Sequence, residues 1–214
     1  MPKPVFMQIP QIAQDKILLA AAETFAEKGL RLVTMADVAQ QAQISPDTLS
    51  MYFDGKQDLI ASVLGRAAQY FNQVYIEVGN MQRPFWERVE YLLRVVARRV
   101  RTLGAYLNVY NHLDAFGAPE LAKATYDRFE SRAGLFYQNL VLTGVQEAAL
   151  RDDLDVTMMA LAFQEAVRIV LSRRANAIYR ARSKTYLPEI PFDDDGDEKL
   201  VRRLLQFLKS SFGV

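Results

Sequence analysis

Thr34 stands three residues ahead of Asp37, and Ser45 immediately precedes Pro46. Both are helix-start chemistry: a side-chain hydroxyl accepts from the N–H groups of the first turn, and a proline in that turn gives up no intrahelical bond. A helix opened this way turns spare N–H groups and the positive end of its dipole outward, and a phosphate suits both. Residues fit for other chemistry are sparse. His112 is the sole histidine and there is no cysteine, so an ordinary zinc site cannot be assembled and thiol catalysis is excluded. No metal and no cofactor is expected. No Ser-His-Asp constellation, paired catalytic acids or phosphate loop can be picked out, so an enzyme is not expected either. The chemistry on offer is recognition.

The elements that must position these hydroxyls read at helical period. Ile17, Leu18, Ala21, Ala22, Phe25 and Ala26 form one apolar stripe, which Gly29 ends. Thr34 opens a short helix to about Ala42, and Ser45-Pro46 opens another to about Phe53. Asp54-Gly55 is a turn, and a long helix follows from Lys56 to Gly79. Pro84 starts a helix whose stripe continues through Val100 and Leu103, with Arg94, Arg98, Arg99 and Arg101 late on an ordinary solvated face. Helix resumes over 120–150, Asp155 caps a run to about Arg182, and a loop over 183–196 leads to a last helix over 197–212. No segment alternates at period two over strand length, so the fold is all-α.

Composition supports one sizeable folded chain. It has 214 residues, half of them hydrophobic, with 26 basic and 25 acidic residues. That is ample apolar material for a core, and no apolar run is long enough to cross a membrane. With no signal-like stretch at the N-terminus, a soluble cytoplasmic protein is expected. Charge is unevenly placed. Residues 1–65 hold five basic residues (Lys3, Lys16, Lys28, Arg31, Lys56) against seven acidic ones, a net charge of −2.

Three short helices, the last two separated by a three-residue turn, have the spacing of a helix-turn-helix. Ala39 supplies the small residue where two helices touch, and Val38, Ala42, Ile44, Leu49 and Tyr52 occupy the packing positions. The exposed face of the third helix is then Pro46, Asp47, Ser50 and Met51, with Thr48 beside it. These would face a major groove while Thr34 and Ser45 meet phosphates.

The stretch from Ile17 to Gly29, Thr34-Met35-Ala36-Asp37-Val38-Ala39, Ile44 to Leu49, and Tyr52-Phe53 with Lys56 and Leu59 resembles the TetR family of transcriptional regulators. The resemblance implies a homodimer that binds a palindromic DNA operator and releases it when a small molecule enters the C-terminal domain. Thr34, Ser45, Thr48, Tyr52 and Lys56 fall on positions that in the family touch phosphate or base, and Lys16 on a basic position near the start of the first helix. Three departures stand out: Gln43 where the family has glycine, Ser50 where it has an aromatic, and a third helix with no basic residue. Phosphate neutralisation carries most DNA affinity, so the alternative is a regulator fold with weakened operator binding that acts through a protein partner.

The division expected is a DNA-binding head over 1–64 and a ligand-binding, dimerising body over 65–214. The body is rich in aromatics, among them Phe116, Phe136, Tyr137 and Phe163. The segment 106–116 interleaves Tyr106, Tyr110, Asn111 and His112 with apolar residues. Aromatics at helical spacing serve as core, yet an apolar pocket with a few polar anchors is what a hydrophobic or aromatic effector needs. Tyr106, Tyr110, Asn111, His112, Phe136, Phe163 and Arg168 are the candidate ligand contacts. The helix Asp155–Arg174 is apolar nearly all round, with Glu165 and Arg168 its internal charges, placed to pair or to anchor an acidic ligand. One face should meet the chain's own core and the other a second copy, together with the last helix.

Overall fold

The computed structural model describes residues 2–113, 117, 119–173 and 177–214, and of Arg101 only the backbone. Phe116 and Arg174 of the sequence reading lie outside that set. The described residues form eleven helices, with no strand beyond an isolated antiparallel bridge between Leu150 and Gly213. By their contacts they fall into two units. One comprises Met1–Tyr70 and Thr102–Thr125, the other Phe71–Arg101 and Tyr126–Val214. The first unit thus takes in a distant segment besides the span 1–64: Asn108 Nδ2 donates to the carbonyl of Ala26.

In the first unit, α1 (Pro4–Gln8) precedes α2 (Gln11–Lys28), α3 (Met35–Ala42) and α4 (Pro46–Tyr52). Ile17, Leu18, Ala21, Ala22 and Phe25 of α2 are buried, as the stripe requires, and Gly29 ends the helix at φ +82°. Val38, Ala39, Ala42 and Leu49 are buried where a helix-turn-helix needs them, with Ile44 and Tyr52 half-buried. Gln43 takes the left-handed conformation (φ 58°, ψ 42°), at a cost of about 1 kcal/mol in a residue with a Cβ. α5 (Lys56–Gly79) begins in this unit, tied to α2 by Arg66, which pairs with Asp15 at 3.1 Å and donates to Gln14.

The second unit holds α6 (Phe85–Arg98), most of α8 (Pro119–Gln146), α9 (Val156–Ser172), α10 (Ala177–Tyr186) and α11 (Asp194–Phe212). α7 (Val100–Asn111) starts after a break at Arg99 that the apolar stripe does not betray. There the backbone turns to φ −107°, ψ 14° and the N–H bonds Val96 three residues back. So tightened a turn ends the ladder yet leaves Val96, Val100 and Leu103 all buried. α8 stops at Gln146 rather than near 150, with Ala148 at φ +51°. In place of one run to about Arg182, one helix ends at Ser172 and another starts at Ala177. The last helix begins at Asp194 rather than 197 because Asp193 caps it, accepting from Gly196 N–H, and its acidic first turn suits the dipole.

Met159, Phe163, Val167 and Val170 of α9 are buried against their own unit, while Met158, Leu161 and Ile169 are exposed. α11 buries Leu200, Val201, Leu205 and Leu208 and exposes Phe207. Between the two helices the Arg173 guanidinium is buried on Asp197 at 2.8 Å and donates to the Ile190 carbonyl. Among the described residues no helix is long and apolar enough to cross a membrane.

Candidate nucleic-acid interface

The hydroxyls nominated as helix starts do cap. Thr34 Oγ1 accepts from Asp37 N–H at 3.2 Å while the Asp37 carboxylate accepts from Thr34 N–H at 2.8 Å, a reciprocal box. Ser45 Oγ accepts from Thr48 N–H at 3.0 Å and shares a hydrogen bond with the Thr48 hydroxyl. Ser45, Pro46, Asp47, Ser50 and Met51 are exposed along one side of α4, Thr48 and Tyr52 half-buried beside them. The expected reading face is therefore open to solvent.

The lysines are less free than their number suggests. Lys3 pairs with Asp54 at 2.9 Å and also donates to the Ser50 carbonyl. Lys16 donates to the Gln43 side chain at 3.1 Å, bracing the left-handed turn. Lys28 pairs with Asp37 at 2.6 Å. The ammonium beside it, with the Thr34 hydrogen bonds, holds the Asp37 carboxyl well below the usual carboxylate range. Lys56 donates to the carbonyls of Arg31 and Val33, at 2.9 and 3.0 Å, fastening the loop that leads into Thr34. Each ammonium has three donors and keeps its charge, but these contacts set its place.

Sequence reasoning missed α1. The Phe6 ring is buried against Phe53 and Tyr52, at centroid distances of 4.7 and 5.4 Å, and Lys3 N–H bonds the Tyr52 carbonyl. The signal was present in Lys3-Pro4 ahead of Phe6, a proline-started turn with one large ring. Lys3 is thus bound to the end of α4.

The candidate ligand contacts fall in both units. In the first, Tyr106 is buried, its ring 6.3 Å from Tyr70, and its hydroxyl has no hydrogen-bond partner among the described residues. Burial pushes its phenol up. Tyr110 is half-buried; Asn111 and His112 are exposed, with His112 Nδ1 on the Asn108 carbonyl at 2.7 Å. His112 and the turn Lys28–Leu32 line a cavity of about 460 Å³. In the second unit, Phe136 stacks on Tyr75 at 4.2 Å, with Tyr137 packed edge-on to both. Phe163 packs among Phe85, Trp86 and Phe212. Arg168 pairs with Glu165 on its own helix, Nε to both carboxylate oxygens at 2.8 and 2.9 Å.

Residues 17–63 match the family model described as bacterial regulatory proteins, tetR family. The chain is 27% identical over 71 residues to the HTH-type transcriptional repressor BepR of Brucella suis biovar 1 (strain 1330), and that match spans about a third of each chain. It is 24% identical over 153 residues to the HTH-type transcriptional repressor KstR2 of Mycolicibacterium smegmatis (strain ATCC 700084 / mc(2)155), covering 70% of this chain and 73% of that one. Its fold is similar to the ketosteroid transcriptional regulator KstR2 of Mycobacterium tuberculosis, with a TM-score of 0.71 over 97% of each chain at 18% identity. It is similar also to AibR in complex with isovaleryl coenzyme A and operator DNA, with a TM-score of 0.66 over 89% of this chain and 95% of that one at 18% identity.

Proposed function

We propose that this chain is a DNA-binding transcriptional regulator of the TetR family rather than an enzyme, and that it acts as a cytoplasmic homodimeric repressor. It holds a palindromic operator and lets go when an apolar small molecule binds. The head is built on residues 1–64 and the ligand-binding, dimerising body on 65–214. The observation that carries the reading is the open face of α4: Pro46, Asp47, Ser50 and Met51 stand exposed behind the Ser45 cap, with no partner of their own unit covering them. Asp47 can accept from a cytosine amino group and Met51 can pack on a thymine methyl. Thr34, Ser45, Thr48, Tyr52 and Lys16 meet the backbone around them. Lys56 serves through the loop it fastens.

The exposed apolar residues of α9 and α11 supply the surface for a second copy, four helices across a two-fold axis. For the effector, two relatives point one way: one similar structure holds isovaleryl coenzyme A and another is named for ketosteroids. An apolar acyl or ring compound carrying an anionic head suits both. In the first unit Tyr106, with its buried hydroxyl in want of a partner, supports a ligand contact beside Tyr110, Asn111 and His112; Phe136, Phe163 and Arg168 are the contacts proposed in the second. α5 carries the signal, because it is one helix from Lys56 to Gly79. A tilt imposed along it moves Lys56 and so the loop into Thr34. Recognition helices moved off their half-site spacing lose the operator.

The test is selection of bound duplexes from a random library with the purified full-length protein at two salt concentrations. Recovery of a palindrome whose half-sites lie about one helical turn or a little more apart supports the reading. If a folded dimer enriches nothing even at low salt, the net-acidic head does not hold DNA and the regulator acts through a protein partner.

A further inference from the structure

Gln43 closes α3 in the left-handed conformation, at φ 58° and ψ 42°, where glycine is the residue free of strain. Its main-chain donor is already taken. Gln43 N–H bonds the Gln40 carbonyl at 3.1 Å and Ile44 N–H bonds the Ala39 carbonyl at 3.0 Å, the paired bonds of a Schellman closure. The side chain is exposed and fills no part of the core. What it does is reach α2, where its carbonyl oxygen accepts from the Lys16 ammonium at 3.1 Å.

That bond fixes which way the amide faces. An ammonium has donors only, so Lys16 can hold nothing but the oxygen Oε1 of the amide. The nitrogen Nε2 is therefore the outward group, with both its N–H groups unengaged, and two of the three ammonium N–H groups are unengaged as well. Neither side chain has a further partner among the described residues. Lys16 also differs from the other lysines of the head. Lys3 and Lys28 lie on the carboxylates of Asp54 and Asp37, and Lys56 lies on two carbonyls. The carboxylate next to Lys16 in sequence, Asp15, is held by Arg66. Of these four lysines Lys16 alone meets a single neutral side chain.

We propose that Gln43 and Lys16 act as one clamp on a backbone phosphate of DNA. Gln43 Nε2 donates to one non-bridging oxygen, while the Lys16 ammonium supplies the opposing charge and a second hydrogen bond. Gln43 stands two residues before Ser45, in a run where Ser45, Pro46 and Asp47 are exposed too, so the clamp adjoins the face proposed to read bases. A glycine in this turn would relieve the backbone, but it would remove both the donor and the group that aims the ammonium. The inference rests on the DNA-binding reading above, and it gives the turn itself a contact that the cap residues do not supply.

The experiment compares full-length wild type with Gln43→Gly and Gln43→Glu, reading thermal unfolding and DNA affinity from low to moderate salt. The probes are the duplex recovered by the selection above and a scrambled duplex of equal length. Gln43→Gly should melt no lower than wild type, since the left-handed strain is gone. It should nevertheless bind both duplexes about tenfold more weakly, the usual worth of a hydrogen bond to a charged group. A residue that only braces the turn cannot give that combination, because glycine needs no brace. Gln43→Glu keeps the reach but replaces the donor with a carboxylate that pairs with Lys16. It should bind more weakly still and lower the slope of log affinity against log salt by about one for each protomer. Wild-type affinity in Gln43→Gly overturns the inference and leaves the DNA-binding reading standing, and so does a parallel fall of its melting temperature and affinity. An unchanged salt slope in Gln43→Glu also overturns it. Wild type that binds no duplex even at low salt removes the inference and the reading together.

Discussion

The ammonium of Lys3 donates to the main-chain carbonyl of Ser50 at 2.9 Å, across most of the head's length in sequence. Ser50 lies in the last turn of α4, where carbonyls lack intrahelical partners. The first residues of the chain thus finish the helix proposed to read DNA, and the Phe6 ring wedged against Phe53 and Tyr52 keeps them there.

Phe6→Ala should therefore cost about 3 kcal/mol of stability, the usual loss for a buried ring. Denaturant unfolding of the head checks this. Operator affinity should fall with it, and an unchanged midpoint would show that α1 contributes no packing to the end of α4.

Lys56→Ala should weaken binding to every duplex by a similar factor and leave the salt dependence nearly as it was. The ammonium holds the carbonyls of Arg31 and Val33, so what is lost is the placement of Thr34 and α3. A residue that neutralises a phosphate would instead lower the slope of log affinity against log salt by about one. Affinity measured from low to moderate salt decides between the two roles.

Asp47→Ala and Ser50→Ala leave the caps and the core untouched, since both side chains are exposed and Ser50 takes part in the Lys3 contact by its carbonyl alone. They should shift preference at one or two positions of each half-site, by about 1–3 kcal/mol per base pair. Repeating the duplex selection with each variant reads this out. An identical consensus would place α4 differently on the groove.

Asp37 gives a pH dependence with a definite sign. The Lys28 ammonium first, and then the Thr34 hydrogen bonds, depress its folded pKa below the ordinary value of 3.8. The unfolded chain binds this proton more readily than the folded one, so the stabilisation is complete above 3.8 and is lost as pH falls through the lower folded value. The gap in melting temperature between wild type and Asp37→Ala should hold from neutral pH down to about 5 and close in stronger acid. A gap that persists undiminished in strong acid would assign the effect to packing rather than to charge.

Much of the candidate interface was legible because it is written in local rules. Thr34 with Asp37, Ser45 with Pro46 and Gly29 after α2 act within four residues of themselves, and the structure places each as capping chemistry requires. The packing positions from Val38 to Leu49 follow from helical period for the same reason. The break at Arg99 was not legible, because a tightened turn of the ladder barely alters the spacing of the buried stripe. The helix start at Asp194 was legible in composition but not in position, since any of four neighbouring aspartates could have been the cap.

The sequence by itself determined the all-helical character, the caps that open α3 and α4 and the motif that joins them, since all of these depend on residues a turn or two apart. Only the tertiary structure decided where the charges went. Lys3 reaches the end of α4, Lys56 the loop before α3, Lys16 the Gln43 turn, and Arg173 a buried aspartate on another helix. A lysine's charge is visible in the sequence, but its partner is chosen by which carbonyl or carboxylate the folded chain brings within 3 Å.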